Sequence, residues 1–417
     1  MRPTRKILLF LLLIIIIQAC KPVNEIAVRN LSWKYQGMSA SPDIRCTLVN
    51  VNDSVSRVFI AIPPQLPDNR FDTREDSAKA GYRIKYVLYN SWLSAAVADS
   101  GTVFYEFTRS RADDKPLKAE FNLRAPVGND YFLYLKVLDI QHEKESEALK
   151  GLLKRNEGTA DWFMVNDAGG ELMNQRYLSN NSPVGVRCYN PAQEKFYVKV
   201  FRHVFQPALP PFVMEMREPY AENADSIFTI LPSLENTASL SLYDQGIYHI
   251  QNDSSQTDGL SLVRFYDGYP AVTSPLRMIE AVRYITTSKE YDHLMQSSDT
   301  KAAIDSFWIA TGGNLSRGLE LIRKYYGRVE QANRLFPSCC EGWKTDMGMV
   351  YIIFGPPNVV YFNGNQEEWI YGEARNYHSV HFVFSKVVNP FSDEDYRLQR
   401  QPNYKEFWYM AVQQWRR

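Results

Sequence analysis

The sequence predicts a mainly β protein with an α+β C-terminal domain: two β-sandwich (Ig-like) domains followed by a helix-then-sheet domain. Two observations carry this. Over 24–140 and again over 160–271, short runs rich in β-branched and aromatic residues alternate with Asn, Asp, Gly and Pro. From about 272 the apolar spacing changes from every second residue to every third and fourth, which is helical. The expected boundaries are a leader at 1–19, a lipidated N-terminus at 20–23, domains at 24–140 and 160–271, a linker at 141–159 and a last domain at 272–417.

Arg2, Arg5 and Lys6 precede an unbroken apolar run, Ile7 to Ile17, of 11 residues. That run is short for a bilayer span and fits the apolar core of a secretory leader. Ile17-Gln18-Ala19-Cys20 resembles a bacterial lipobox, with a small residue before the cysteine. The expectation is cleavage before Cys20, acylation of its thiol (palmitate) and anchorage in a membrane through several acyl chains. Lys21-Pro22-Val23-Asn24 offers no acid directly after Cys20, so the expected location is the outer membrane, on its periplasmic face or at the cell surface.

Charge excludes one partner class. Lys plus Arg and Asp plus Glu both number 47, and losing the leader leaves an excess of three acids, so no basic footprint for nucleic acid exists. Cys46, Cys188, Cys339 and Cys340 have three pairing patterns open to them in an oxidising envelope. No CxxC pair supports a metal knuckle, and no cofactor is expected. His378 and His381, three apart in an expected strand, point to opposite faces and do not share a metal.

The elements follow in order. "IRCTLVNVN", "SRVFIAIPP", "YRIKYVLYN", "GTVFYEFTR" and "DYFLYLKVLDI" read as strands of the first sandwich. "HEKESEALKGLLKRNEG" is charged and lacks a wide apolar face, which reads as the linker. "DWFMVND", "VGVRCYN", "KFYVKVFRHVF", "SIFTILP" and "ASLSLYDQGIYHIQ" build the second sandwich, broken by the Pro-rich "QPALPPFVM". "NDSSQTDG" reads as a hairpin tip, because it lacks the carboxylate spacing of a calcium loop. Asp299 is placed to cap a helix carrying Ile304, Phe307 and Trp308. A helix over 315–335 is expected to bury Leu315, Leu319, Ile322, Tyr326, Val329, Asn333 and Phe336.

"CCEGWKTDMGMVYIIFGPPN" then spans 339–358. "MVYIIF", continuously apolar and β-prone, reads as a buried central strand stopped by Gly355-Pro356-Pro357. Each motif residue then has a structural task. Gly342 permits a tight turn, Trp343 caps the core, Thr345 and Asp346 accept backbone amides, and Gly355 allows close backbone passage. The competing reading is a pocket where Trp343, Asp346 and the Gly-Pro-Pro turn meet, joined by Arg328. "VVYF", "EEWIYG" and "SVHFVFSK" supply further strands, with "NGN" a hairpin turn and "YKEFWYMAVQQWRR" a strand leading into a short helix.

These residues resemble the GWxTD domain family of bacterial envelope proteins. The resemblance rests on Arg328 and Asn333, on Gly342-Trp343-Lys344-Thr345-Asp346, on Tyr351, on Gly355-Pro356-Pro357, and on Trp369 with Tyr371. Asn358 stands where Asp is common in the family. The resemblance implies a domain boundary near 272 and no activity.

No GxSxG elbow, P-loop, HExxH or dinucleotide fingerprint is present. The expected function is a membrane-anchored, non-enzymatic binding and scaffold module with an envelope protein partner, serving outer-membrane assembly or secretion. The alternative is a hydrolase or glycan-binding protein acting on envelope polymers. That alternative needs two carboxylates in one cleft, for which Asp346 with Glu367 or Glu368 is the pairing to inspect.

Overall fold

Buried and half-exposed side chains alternate strictly along Val55–Ile62, which gives one sheet an inner and an outer face. The computed structural model of the chain describes residues 28–36, 44–62, 77–110, 116–189, 194–215, 223–233, 236–373 and 379–416. Cys20 and the whole leader lie outside the described residues, as does His378. The chain divides into two units, one from residues up to 29, 41–48 and 53–155, the other from 30–40, 49–52 and 156–417.

The first unit holds β1 (Arg45–Asn50) as far as Leu48, β2 (Val55–Ile62), β3 (Ser77–Tyr89), β4 (Val97–Ser110), β5 (Leu117–Arg124), β6 (Asn129–Asp139) and β7 (Lys144–Lys154). They form two sheets, ordered β1-β2-β5 and β4-β3-β6-β7. Leu48, Val58, Ile60, Ile84, Leu123, Leu133, Leu135 and Leu152 come from both sheets and share one core. Tyr131, near the start of β6, donates its hydroxyl to the Pro126 carbonyl at 2.7 Å. That bond pins the corner between β5 and β6.

Residues 144–154 form a strand where a linker is expected. β7 pairs antiparallel with β6 from Lys144 to Lys154. Its lysines and glutamates are edge-strand residues, which keep an open sheet margin from pairing with other chains. Charge therefore hid a strand. Lys154 is fully buried, and its ammonium donates to Val55 O and Ser56 Oγ, both at 3.0 Å.

The second unit begins with β8 (Phe163–Asn166), β9 (Tyr177–Leu178), β10 (Val184–Cys188), β11 (Phe196–Phe201), β12 (Ser226–Ile230), β13 (Thr237–Leu240), β14 (Gly246–Gln251) and β15 (Leu260–Arg264). Sheets β13-β10-β8 and β12-β11-β14-β15-β9 face one core that includes Phe163, Val186, Phe196, Val198, Ile250 and Leu262. The β15–β9 pair is parallel. Residues 252–259 form the tip of the β14–β15 hairpin, as the sequence reading has it.

Helices follow: α1 (Pro275–Ala281), α2 (Ser288–Met295), α3 (Thr300–Gly312) and α4 (Leu315–Leu335). Asp299 accepts the Ala302 amide at 2.9 Å and caps α3. The buried residues of α4 are Gly318, Leu321, Tyr325, Tyr326, Val329, Ala332 and Asn333; of the expected stripe, Tyr326, Val329, Asn333 and the following Phe336 are buried, while Leu315 and Leu319 are exposed. The difference is confined to the first turns of α4, where Gly318 lies close against Gly312 of α3. A methyl on Gly312 would sit 2.6 Å from the Gly318 nitrogen.

Asp346–Phe354 is helix α5, not a strand. Val350, Ile352 and their neighbours are buried on every side, so the segment has no polar face to reveal its period. β16 (Val359–Phe362), β17 (Gln366–Tyr371), β18 (Val380–Lys386) and β19 (Tyr396–Leu398) form an antiparallel sheet in that order. The chain closes with α6 (Tyr404–Trp415), helical throughout where a strand was expected to lead in. The fold is mainly β, with every α-helix of the described residues except the closing α6 gathered ahead of the last sheet.

Candidate functional site

Gly342 lies against the last turns of α4. A methyl there would overlap the Ala332 carbonyl oxygen and reach 2.8 Å from Asn333 Cα. Glycine alone allows this approach. Asn333, fully buried, uses the contact: its Oδ1 accepts the Trp343 amide at 3.1 Å and its Nδ2 donates to Pro270 O at 2.9 Å. Its own carbonyl accepts the Tyr269 hydroxyl at 2.6 Å. A buried amide side chain in a helix stripe is thus fully engaged.

Gly342–Lys344 form a single 3-10 turn. Trp343 is 2 % exposed, and its carbonyl accepts the Tyr284 hydroxyl at 2.9 Å. Thr345 ends the turn and starts α5: its hydroxyl donates to Gly342 O at 2.7 Å and accepts the Gly348 amide at 3.0 Å. Asp346, 4 % exposed, accepts the Leu398 amide at 3.0 Å through Oδ2 and Arg400 at 2.5 Å through Oδ1. Arg400 also donates to Leu209 O at 2.7 Å and Pro210 O at 2.8 Å. One ion pair therefore joins α5, the chain after β19 and the Pro-rich loop. Lys344 pairs with Glu341 at 2.8 Å.

The other end of α5 is finished by different residues. Arg328 on α4 donates to Ile352 O at 2.9 Å and Ile353 O at 3.1 Å, and stacks on the Trp415 ring at 4.9 Å. Guanidinium on terminal carbonyls satisfies groups with no partner inside the helix. Burial lowers the Arg328 pKa from its ordinary value. Gly355 has φ +88° and packs on Arg328, and its carbonyl accepts the Tyr371 hydroxyl at 2.7 Å. Pro356 is exposed and Pro357 buried. Tyr351 donates to Gln331 Oε1 at 2.9 Å and Tyr35 O at 3.1 Å. Trp369 is fully buried among Tyr35, Phe336 and Phe384.

The sequence-derived residues of the GWxTD motif and its surroundings are thus all placed, but not in one pocket. Trp343, Thr345 and Asp346 stand at the start of α5, and Arg328, Gly355, Pro356 and Pro357 at its end. Nine helical residues, about 13 Å, lie between. Sequence reasoning missed Gly348, on which a methyl would overlap the Gly342 carbonyl oxygen. It also missed Tyr269, Tyr284 and Arg400, which no local pattern marks.

Other chemistry is weak by geometry. Asp346 faces an amide and a guanidinium, so the pairing with Glu367 or Glu368 as a two-carboxylate cleft does not form. Glu368 instead pairs with His381 at 2.8 Å. His381 also lines an open cleft of about 260 Å³ with Ser379, Gln401, Asn403 and Phe407. His249 and Ser261 lie 2.9 Å apart like a base and a hydroxyl, yet both are buried. The second nitrogen of His249 donates to Thr257 O at 3.1 Å. Among the described residues no group of three or more His, Cys, Asp or Glu could hold a metal. None of Cys46, Cys188, Cys339 and Cys340 is in a disulfide, and burial pushes Cys46 up to about 12 and raises Cys339 further.

A family model, the GWxTD domain, matches residues 246–417. This chain carries a GWxTD domain. No curated protein matches the chain. The GWxTD match begins in β14, ahead of the expected start at 272. Geometry explains the earlier start: the chain leaving β15 supplies Tyr266, Tyr269 and Pro270, which hold Asn333 beneath the GWxTD turn.

Proposed function

We propose that the chain is a lipid-anchored envelope protein that works as a non-enzymatic binding and scaffold module in outer-membrane assembly or secretion. One observation supports the module reading above the rest. The polar side chains of the GWxTD motif are directed at the protein's own backbone and at buried partners. Thr345 holds Gly342 and Gly348, Asn333 holds Trp343 and Pro270, and Asp346 holds Leu398 and Arg400. A catalytic set needs a nucleophile and a base open to substrate. The anchor reading rests on the charged leader, its apolar core and Cys20.

The test is capture of the full-length chain from membranes in mild detergent, beside a Cys20→Ala control. The expected result is membrane retention of the parent chain, release of the control, and stoichiometric recovery of an envelope protein. Hydrolysis of an envelope polymer by the purified chain, with no protein recovered, would overturn the reading.

A further inference from the structure

Glu367, the second residue of β17, is a carboxylate at 2 % exposure. Its oxygens receive the Tyr35 hydroxyl at 2.7 and 2.9 Å, the Lys34 ammonium at 3.1 Å and the Trp369 indole N–H at 3.1 Å. Of these donors only Trp369 belongs to the GWxTD domain. Tyr35 and Lys34 come from residues 30–36, a strap that is remote in sequence. Without the strap the carboxylate loses three of its four hydrogen bonds and keeps only the Trp369 indole. The slot around Glu367 is therefore built for an occupant that brings a hydroxyl or a cation.

The strap fits as a peptide ligand fits. β16 is the margin of its sheet. Leu31 donates its amide to Val360 O at 2.8 Å, and Asn30 Oδ1 accepts the Val360 amide at 2.9 Å. Asn30 Nδ2 donates to Asn358 O at 3.2 Å. Both outward backbone groups of Val360 are thus taken, one by a strap amide and one by a carboxamide standing in for backbone. Five residues on, the Tyr35 ring enters between Phe336 and Trp369, with centroids 5.4 and 4.9 Å away. Leu31, Ser32 and Tyr35 are buried there. Sheet-margin pairing plus a side-chain slot is a recurring mode of peptide recognition.

We propose that the β16 margin and the Glu367 slot form a peptide-recognition site of the GWxTD domain, specific for an asparagine followed five residues later by a tyrosine, and occupied here in cis by residues 30–36. The strap is a displaceable latch, and a partner peptide of the same chemistry takes its place. This deepens the binding-module reading by naming its surface and ligand class. It is scored with purified protein and peptide, so its failure leaves the membrane capture result standing on its own.

The experiment uses the full-length Tyr35→Ala chain and a fluorescent peptide of residues 28–36. Saturable binding to the variant is expected, at least tenfold weaker to the parent chain, whose own strap fills the slot. A peptide with Phe in place of Tyr should bind at least tenfold more weakly, and Glu367→Gln in the Tyr35→Ala background should erase that preference. No binding to the folded variant, or equal binding to the parent chain, overturns the proposal. Where Tyr35→Ala fails to fold, amide exchange of the Tyr35→Phe chain decides. Residues 30–36 should exchange at least tenfold faster while α5 keeps its protection. Equal loss in both would make the strap ordinary core and overturn the proposal.

Discussion

At the residue scale the GWxTD corner depends on two glycines whose hydrogens face carbonyl oxygens. Gly342→Ala and Gly348→Ala should each destabilise the fold by about 3 kcal/mol or more, since backbone rather than a flexible side chain must yield. Gly327, midway along α4, is the control. Nothing lies within 4 Å of a methyl there, so Gly327→Ala should stabilise by up to about 1 kcal/mol through helix propensity alone. Urea midpoints of the three variants check both signs. Trp343, Thr345, Asp346 and Gly342 were legible in the sequence because they form one local string. Gly348 sat inside an apolar run that offered no contrast. Arg400 was invisible, because its partner Asp346 is 54 residues away.

At the element scale, α3 and α4, each with a wet face, are legible as helices, α5 without one reads as a strand, and α6 reads as opening on a strand despite its exposed face. α4 shows its period through charged residues on its open side, and the expected stripe departs from the buried face only at Leu315 and Leu319, near the Gly312–Gly318 approach. α5 lies wholly in the core, so a helix and a buried strand leave the same apolar string. β7 failed the opposite way, since an edge strand carries charge. Thr345→Ala removes the cap of α5 and should cost about 1 kcal/mol, read as a lower thermal midpoint. β14 predicts a pH effect. Burial and the neighbouring Lys199 lower the His249 pKa to about 4 from 6.5, with the Thr257 carbonyl and Asp258 acting the other way. The unfolded chain therefore binds this proton first as the pH falls. The stability from neutral His249 is complete above about pH 6.5 and drains away towards pH 4, a loss of roughly 3 kcal/mol. Denaturant midpoints between pH 7 and 4.5 should fall in the parent chain and flatten in His249→Asn.

At the scale of the whole molecule, the sequence showed a β-rich N-terminal part and a helix-then-sheet end. It did not show that residues 30–40 join the same unit as 156–417. No periodicity links a strap to a sheet more than 300 residues on. With Cys20 as the proposed anchor, the ten residues to Asn30 reach at most about 35 Å when fully extended. The docked strap would therefore hold the β16 margin within that distance of the membrane. Trp343→Ala should cost about 3 to 5 kcal/mol and unfold the GWxTD domain first, seen as an early loss of near-ultraviolet dichroism. The role proposed for the motif aspartate is to fasten the fold through the Leu398 amide and Arg400. Thermal melting of Asp346→Asn, with partner capture measured on the same sample, tests it most directly. The account predicts a melt lowered by several degrees, as expected when a buried ion pair loses its charge, and partner capture that fails only as the fold fails. An unchanged melt with capture or polymer hydrolysis abolished would contradict it.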